Sequence, residues 1–143
     1  TEIMGAQDPW KALGIDADRC LSAISGAHLK RYGLYAEGRV IGLAVVHPTG
    51  FASSPYLSVL AIEAAHTGQG LGSLLLAHVE REVFRERRNL FVCVSSFNDG
   101  AQRFYLSRGY VQIGVIADYL KPGCDELILR KVRSEPPNRQ EQP

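Results

Sequence analysis

The sequence predicts an α/β protein of the α+β type, with a mixed, mostly antiparallel central sheet and helices on both faces of that sheet. Apolar residues recur at four-residue spacing from Leu71 to Val83, which is typical of a helix with one buried face. Short apolar runs at 56–62 and 90–94 flank this helix, and we expect a right-handed parallel crossover between the two strands. Strands predicted before and after this unit would form antiparallel hairpins.

Two helices are predicted at the start of the sequence. Asp8 and Pro9 suit the N-cap and the first helical position of a helix that ends near Gly14. Asp16 can cap a second helix, which would bury the apolar residues around Cys20.

The first hairpin is predicted from two strand-like segments, 29–36 and 40–47, with a turn at Glu37-Gly38-Arg39. The segment His47-Pro48-Thr49-Gly50 is expected to end the second strand. The long helix that begins at Leu71 should end near Asn89.

The remaining elements follow the strand at 90–94. Asn98 can cap a helix over residues 99–107, which Gly109 ends. Alternating apolar residues from Val111 to Val115 predict a strand, and residues 126–132 predict the last one. We expect one domain over residues 1–133 and a disordered, Pro-rich polar tail over 134–143.

Charge and cysteine usage narrow the class of protein. A net charge of +1 gives no electrostatic reason to expect a nucleic acid partner. Cys20, Cys93 and Cys124 are widely spaced and form no C-x-x-C pair, so neither a metal site nor a redox motif is predicted. No segment approaches the roughly 20 apolar residues of a membrane helix. Reduced cysteines without a recognisable signal peptide favour a cytoplasmic protein.

A glycine cluster carries the main functional signal. Gly68, Gly70 and Gly72 alternate between a predicted strand and a helix that Ser73 helps to open, which favours a phosphate site on backbone N–H groups. The alternative is a tight turn that needs glycine only for its geometry. A P-loop would need a following Lys, and a dinucleotide fold would need another glycine spacing and an acid where Ser95-Ser96 stand.

The stretch LAIEAAHTGQGLGSLLL resembles the acetyl-CoA motif of the GCN5-related N-acetyltransferase (GNAT) superfamily. The pattern Arg/Gln-x-x-Gly-x-Gly/Ala of that family falls on Thr67, Gly70 and Gly72. A second block, residues 98–110, is similar to the family pattern Asn-x-x-Ala-x-x-Phe-Tyr-x-x-x-Gly-Phe/Tyr. The resemblance covers roughly residues 30–132 and implies a GNAT-like acyl-CoA fold with acetyl-CoA as co-substrate and no metal.

The resemblance also implies roles for individual residues. The strand at Leu60, Ala61 and Ile62 would pair with the pantetheine arm, and an N–H near Leu60 would polarise the thioester carbonyl. Tyr105 aligns with the general acid that protonates the leaving thiolate. Asn98, which can also act simply as a helix cap, would bind the pantetheine amide. The remaining implied cofactor-binding residues are Thr67, Gly68, Gln69, Gly70, Leu71, Gly72, Ser73, Ala101 and Phe104.

The sequence departs from the family pattern in three ways. Thr67 stands where the family has Arg or Gln, and Gln69 or Arg103 could compensate for the lost charge. The usual glutamate before the glycine loop is missing, so Tyr56 or Ser58 would hold a proton-relaying water. Other candidate bases are Glu37, Glu63 and His66. The usual first strand is not found before Asp8, which would expose a sheet edge and favour a homodimer.

The predicted function is transfer of acetyl from acetyl-CoA to a primary amine of a small molecule or peptide by direct attack. One alternative is a non-catalytic acyl-CoA-binding or sensor module on the same fold, and another is an unrelated nucleotide-phosphate binder. Aromatic and acidic side chains in the expected acceptor region would suit a cationic amine or a peptide N-terminus: Trp10, Tyr32, Tyr35, Asp118, Tyr119 and Asp125.

Overall fold

The computed structural model describes residues 24–135. The two helices predicted before residue 24, the question of a strand before Asp8 and most of the predicted tail lie outside these residues. The described elements are β1 (Lys30–Ala36), β2 (Arg39–Phe51), β3 (Ser54–Ile62), a 3-10 turn (Ala64–His66), α1 (Leu71–Val83), β4 (Asn89–Ser95), α2 (Asp99–Leu106), β5 (Val111–Lys121) and β6 (Cys124–Val132).

The six described strands form one sheet in the order β1-β2-β3-β4-β6-β5. The pair β3–β4 is parallel and the other four pairs are antiparallel, which confirms the mixed sheet and the crossover through α1. Both described helices pack on one face, because Leu76 of α1 and Tyr105 of α2 belong to the same apolar core as Val92 of β4. Ile24, the first described residue, is helical and packs against the buried residues of the other face, among them Val45 and Val59.

The second strand is longer than the sequence predicts. β2 runs through the segment 47–50 to Phe51, and β3 starts at Ser54, so the prediction that this segment ends the strand is wrong. The ladder shifts its register between His47 and Phe51, and Pro48 lies inside that irregular stretch. A proline is tolerated there because the ladder does not require its missing N–H.

The first of the described helices, α1, is shorter than predicted. α1 ends at Val83 instead of near Asn89, and residues 84–86 form turns. The sequence Arg85-Glu86-Arg87-Arg88 offers no apolar residue to extend the buried stripe. Arg87 instead donates a hydrogen bond from its guanidinium to the carbonyl of Ser53 in the β2–β3 turn.

The strands β3 and β4 separate after a short contact. Their ladder consists of Tyr56 opposite Phe91 and Leu57 opposite Val92, although both strands continue further. A bulge at Ser58 bends β3, since Val45 pairs with Val59 while Val46 pairs with Leu57. The two diverging backbones, residues 58–61 and 93–95, define what we call the β3–β4 gap.

Candidate functional site

The glycine loop before α1 is open and left-handed at two positions. Gly68 has a φ of 78° and Gly70, the N-cap of α1, has a φ of 76°. A Cβ atom added at either position would meet nothing within 4 Å. Glycine is therefore required here by backbone conformation, and the space above the loop is free to accept a ligand.

The first turn of α1 presents unused donors. The first helical hydrogen bond runs from the N–H of Leu74 to the carbonyl of Gly70, at 3.1 Å, so the N–H groups of Leu71, Gly72 and Ser73 precede it. The N-cap residue, Gly70, has no side chain that could accept a hydrogen bond from these N–H groups. Free N–H groups and the positive end of the helix dipole make this turn a suitable anion site.

Arg108 places a positive charge beside this turn. Its guanidinium lies 3.8 Å from the centre of the Phe104 ring, donates to the Phe104 carbonyl at 2.9 Å and also donates to Ser73 Oγ. Arg103, suggested from the sequence, is exposed, as is Gln69. Arg108 lies four residues after Phe104, a spacing typical of helical neighbours, and that spacing could have identified it.

Thr67 uses its hydroxyl locally. Thr67 Oγ1 donates to the carbonyl of Ala64 at 2.9 Å and thereby closes the 3-10 turn. Glu63, at the rim of the loop, accepts hydrogen bonds from Arg39 and lies 2.7 Å from Nδ1 of His66. Arg39 first and His66 second lower the pKa of the Glu63 carboxyl, which makes Glu63 a weak base.

The predicted pantetheine strand borders the β3–β4 gap. Leu60 is half-buried, and Ala61 and Ile62 are buried. On the side away from the gap, these three residues pair with β2. On the gap side, residues 58–61 form no ladder with β4 in the described chain. A diverging pair of strands of this kind can accept an extended ligand as an added strand.

The start of α2 packs beside the glycine loop. Asn98 Oδ1 accepts a hydrogen bond from the N–H of Ala101 at 3.0 Å, so Asn98 caps α2 as the sequence suggests. A Cβ atom added at Gly72 would lie 3.6 Å from the Phe104 ring, which places Phe104 against the first turn of α1. Ala101 packs at the edge of the apolar core between the two helices and the sheet.

Tyr105 is an interior residue. It is 6% exposed and makes edge-to-face contacts with Phe104 and Tyr110, at 5.1 and 5.2 Å between ring centres. Burial raises the pKa of the Tyr105 phenol above its ordinary value, so the hydroxyl keeps its proton at neutral pH. These contacts account for a packing role, and the retained proton is what a proton donor would need.

A polar cluster that the sequence analysis did not assemble lies on the other face of the sheet. Ser95 Oγ donates to Glu126 Oε2 at 3.1 Å, and the Tyr56 hydroxyl lies close enough to Cys93 and Glu126 to interact with both electrostatically. Burial raises the pKa of both the Glu126 carboxyl and the Cys93 thiol. Glu126 carries no sequence signal of its own, since its neighbours Asp125 and Leu127 belong to an ordinary strand pattern.

Between residues 24 and 135, no group of three or more His, Cys, Asp or Glu side chains could hold a metal ion. The same stretch has no helix whose length and apolar character would let it cross a membrane.

Comparison with known proteins identifies the family. The sequence profile of the acetyltransferase (GNAT) family matches residues 5–110. The chain belongs to this family. A search of curated proteins gives no match.

Solved structures share the GNAT fold with this chain. A GNAT-family protein from Desulfovibrio desulfuricans is 24% identical, with a TM-score of 0.73 over 92% of this chain and 86% of that one. The ribosomal-protein-S18-alanine N-acetyltransferase from Escherichia coli is 20% identical, with a TM-score of 0.71 over 87% and 81%. An aminoglycoside 6'-N-acetyltransferase complexed with coenzyme A is 13% identical, with a TM-score of 0.74 over 94% and 89%. At these identities the likeness concerns the fold.

Proposed function

We propose that this GNAT protein transfers the acetyl group of acetyl-CoA to a primary amine of a small molecule or peptide. The observation that carries the proposal is the position of the glycine loop. It follows the strand that borders the β3–β4 gap after a single 3-10 turn, and it leads into a helix without a side-chain cap. A diphosphate held at the loop would place the extended pantetheine arm along β3, and the thioester would then lie inside the gap.

The diphosphate would be bound mainly by backbone groups. The N–H groups from Gly68 to Ser73 supply uncharged donors, and Arg108 supplies the cation that Thr67 lacks. Gln69, exposed in the same loop, can add a side-chain donor. Thr67 would then help to fix the shape of the turn beside the diphosphate, because its hydroxyl is already bonded to the carbonyl of Ala64.

The pantetheine arm would run beside Leu60, Ala61 and Ile62. Backbone groups of this strand would bond the arm, with an N–H near Leu60 directed at the thioester carbonyl as an oxyanion donor. Asn98 uses only its Oδ1 atom as a helix cap, so its amide NH₂ can donate to the arm. Ala101 and Phe104 would pack beneath the cofactor.

Tyr105 would act as the general acid. In direct attack the amine nitrogen bonds to the carbonyl carbon and the carbon–sulfur bond breaks, which releases the sulfur as a thiolate. The protonated phenol of Tyr105 can donate to that sulfur. Cys93 is an unsuitable acyl carrier because burial raises its pKa and keeps it as a thiol, which favours direct attack over a covalent enzyme intermediate.

A thiol-release assay at saturating acetyl-CoA tests the proposal with a panel of polyamines, aminoglycosides and peptides. Release of CoA together with an acetylated amine is the expected result. Binding of acetyl-CoA without turnover of any acceptor would favour the sensor module. Thermal stabilisation by ATP or NAD but not by acetyl-CoA would favour a nucleotide-phosphate binder and sink the proposal.

We also propose a cytoplasmic location and a homodimeric assembly. Cys93 and Cys124 are free thiols, which suits the cytoplasm. A homodimer is our prediction from the sequence alone, and light scattering of the purified protein would test it.

A further inference from the structure

We infer that the acceptor amine binds as an ammonium ion at Glu126, on the sheet face opposite α1 and α2, and that Glu126 then takes its proton. The inference rests on the proposed function and adds to it the acceptor-binding site, the general base and the charge of the substrate. Ser95 and Tyr56 border the same site.

Strand register fixes the face on which Glu126 lies. Val92 and Val94 point into the core that holds α1 and α2, so the alternate residues Cys93 and Ser95 point to the other face. Glu126 is directly opposite Ser95 in the antiparallel ladder and therefore shares its face. Ser95 is the last residue of β4, so Glu126, on the neighbouring strand β6, lies beside the end of β4 that borders the open part of the β3–β4 gap.

A cationic partner would stabilise the ionised form of Glu126. Glu126 is half-buried, and within residues 24–135 its hydrogen bonding is limited to the Ser95 hydroxyl on Oε2, with no Lys, Arg or His in ion-pair contact. The glutamates at 63, 80, 82 and 135 each pair with a basic residue. A half-buried carboxylate is costly without a counter-charge, and an ammonium ion in the gap would supply it.

The groups around Glu126 do not compete for that role. Those that interact with the cluster electrostatically are Tyr56 on β3, Cys93 on β4 and Tyr119 on β5. Burial raises the pKa of Tyr56 and of Cys93, so both stay neutral at physiological pH. Glu126 is then the group of this cluster with the lowest ordinary pKa, so it is the group that can take a negative charge and accept a proton.

Tyr105 and Glu126 lie on opposite faces of the sheet, which suits one as a proton donor and the other as a proton acceptor in the same reaction. Tyr105 belongs to the core on the helix side of the sheet, and Glu126 lies on the other side. The ammonium loses one proton to Glu126 and attacks the carbonyl carbon as a neutral amine. The carbon–nitrogen bond forms, the carbon–sulfur bond breaks and Tyr105 protonates the sulfur. The second nitrogen proton restores the phenol, and Glu126 releases its proton to water.

The test compares Glu126→Gln with Glu86→Gln, which makes the same chemical change at an exposed residue after α1. The acceptor probes are 1,4-diaminobutane, kanamycin and a peptide with an N-terminal alanine. We expect Glu126→Gln to lower kcat/KM about 100-fold and to remove the acidic limb of its pH profile, with acetyl-CoA affinity unchanged. Glu86→Gln should behave as the parent protein.

The outcomes separate this inference from the proposed function. A parent protein that acetylates a probe, with Glu126→Gln keeping its rate and pH profile, would overturn the inference alone. A parent protein that acetylates nothing would count against the proposed function. Ammonium binding would then be judged by titrating n-butylammonium against the carboxyl ¹³C resonance of Glu126. A shift that Glu86 does not share would support the site, and the absence of a shift would refute it.

Discussion

The substitution Gly70→Ala separates the glycine loop's conformational role from its role in binding. Gly70 has a φ of 76° and Gly123, in the β5–β6 turn, has a φ of 82°. A Cβ atom at either position would meet nothing within 4 Å, so neither substitution creates a clash. Each should therefore lower the free energy of unfolding by about 1–2 kcal/mol, the cost of a left-handed alanine. For a chain of this size, that corresponds to about 3–4 °C in Tm for each kcal/mol.

Binding should distinguish the two variants. The methyl group at residue 70 stands where a phosphate oxygen would approach the N–H groups of Leu71 and Gly72, and loss of one hydrogen bond to a charged group costs about 1.5–3 kcal/mol. Isothermal titration with coenzyme A should thus show a Kd raised about 10–100-fold for Gly70→Ala and unchanged for Gly123→Ala. Equal affinities in the two variants would refute a diphosphate site at this loop.

Four further predictions follow from individual side chains. Tyr105→Phe should slow turnover about 100-fold in the thiol-release assay while leaving the Kd for coenzyme A unchanged; an unaltered rate would remove the general-acid role. Arg108→Gln should raise that Kd about tenfold, and the difference from the parent protein should shrink as salt increases; equal affinities at low salt would show that Arg108 does not contribute. Leu76→Ala, at a fully buried position, should lower the free energy of urea unfolding by about 2–5 kcal/mol, whereas Leu74→Ala, which is 56% exposed, should change it little. Similar losses in both leucine variants would contradict the assigned packing. Burial raises the pKa of Glu126 in the folded state above its value in the unfolded state, so the folded protein binds this proton more tightly. The free energy of unfolding therefore falls as the pH rises above the ordinary pKa of a glutamate. Glu126→Gln should therefore gain in Tm relative to the parent protein between pH 4 and pH 7, and a difference independent of pH would contradict this coupling.

Local signals in the sequence predicted much of the fold. Four-residue apolar spacing located α1 because a buried helical face needs that period, and Asn98 caps α2 as its residue type suggests. The boundaries were less predictable. Pro48 usually ends a strand, but a shift in register lets β2 continue past it, and that shift depends on the pairing with β3.

The candidate site was only partly accessible from the sequence. Gly68 and Gly70 stand out because few other residues adopt their backbone conformation, so the loop could be found by residue type. Arg108 and Glu126 could not be assigned in the same way. Arg108 reaches Ser73 across 35 positions of the chain, and Glu126 reaches Ser95 across 31. Such contacts depend on the packing of α2 on α1 and on the register between β4 and β6.

The central claim is that the chain holds the diphosphate of acetyl-CoA at the glycine loop and its pantetheine arm in the β3–β4 gap. A titration of the ¹⁵N-labelled protein with coenzyme A, followed through its backbone amide resonances, tests both parts together. Shifts concentrated at residues 68–73 and 58–61, with little change along β1, are the predicted result. Saturable binding that leaves both segments unperturbed would contradict the account.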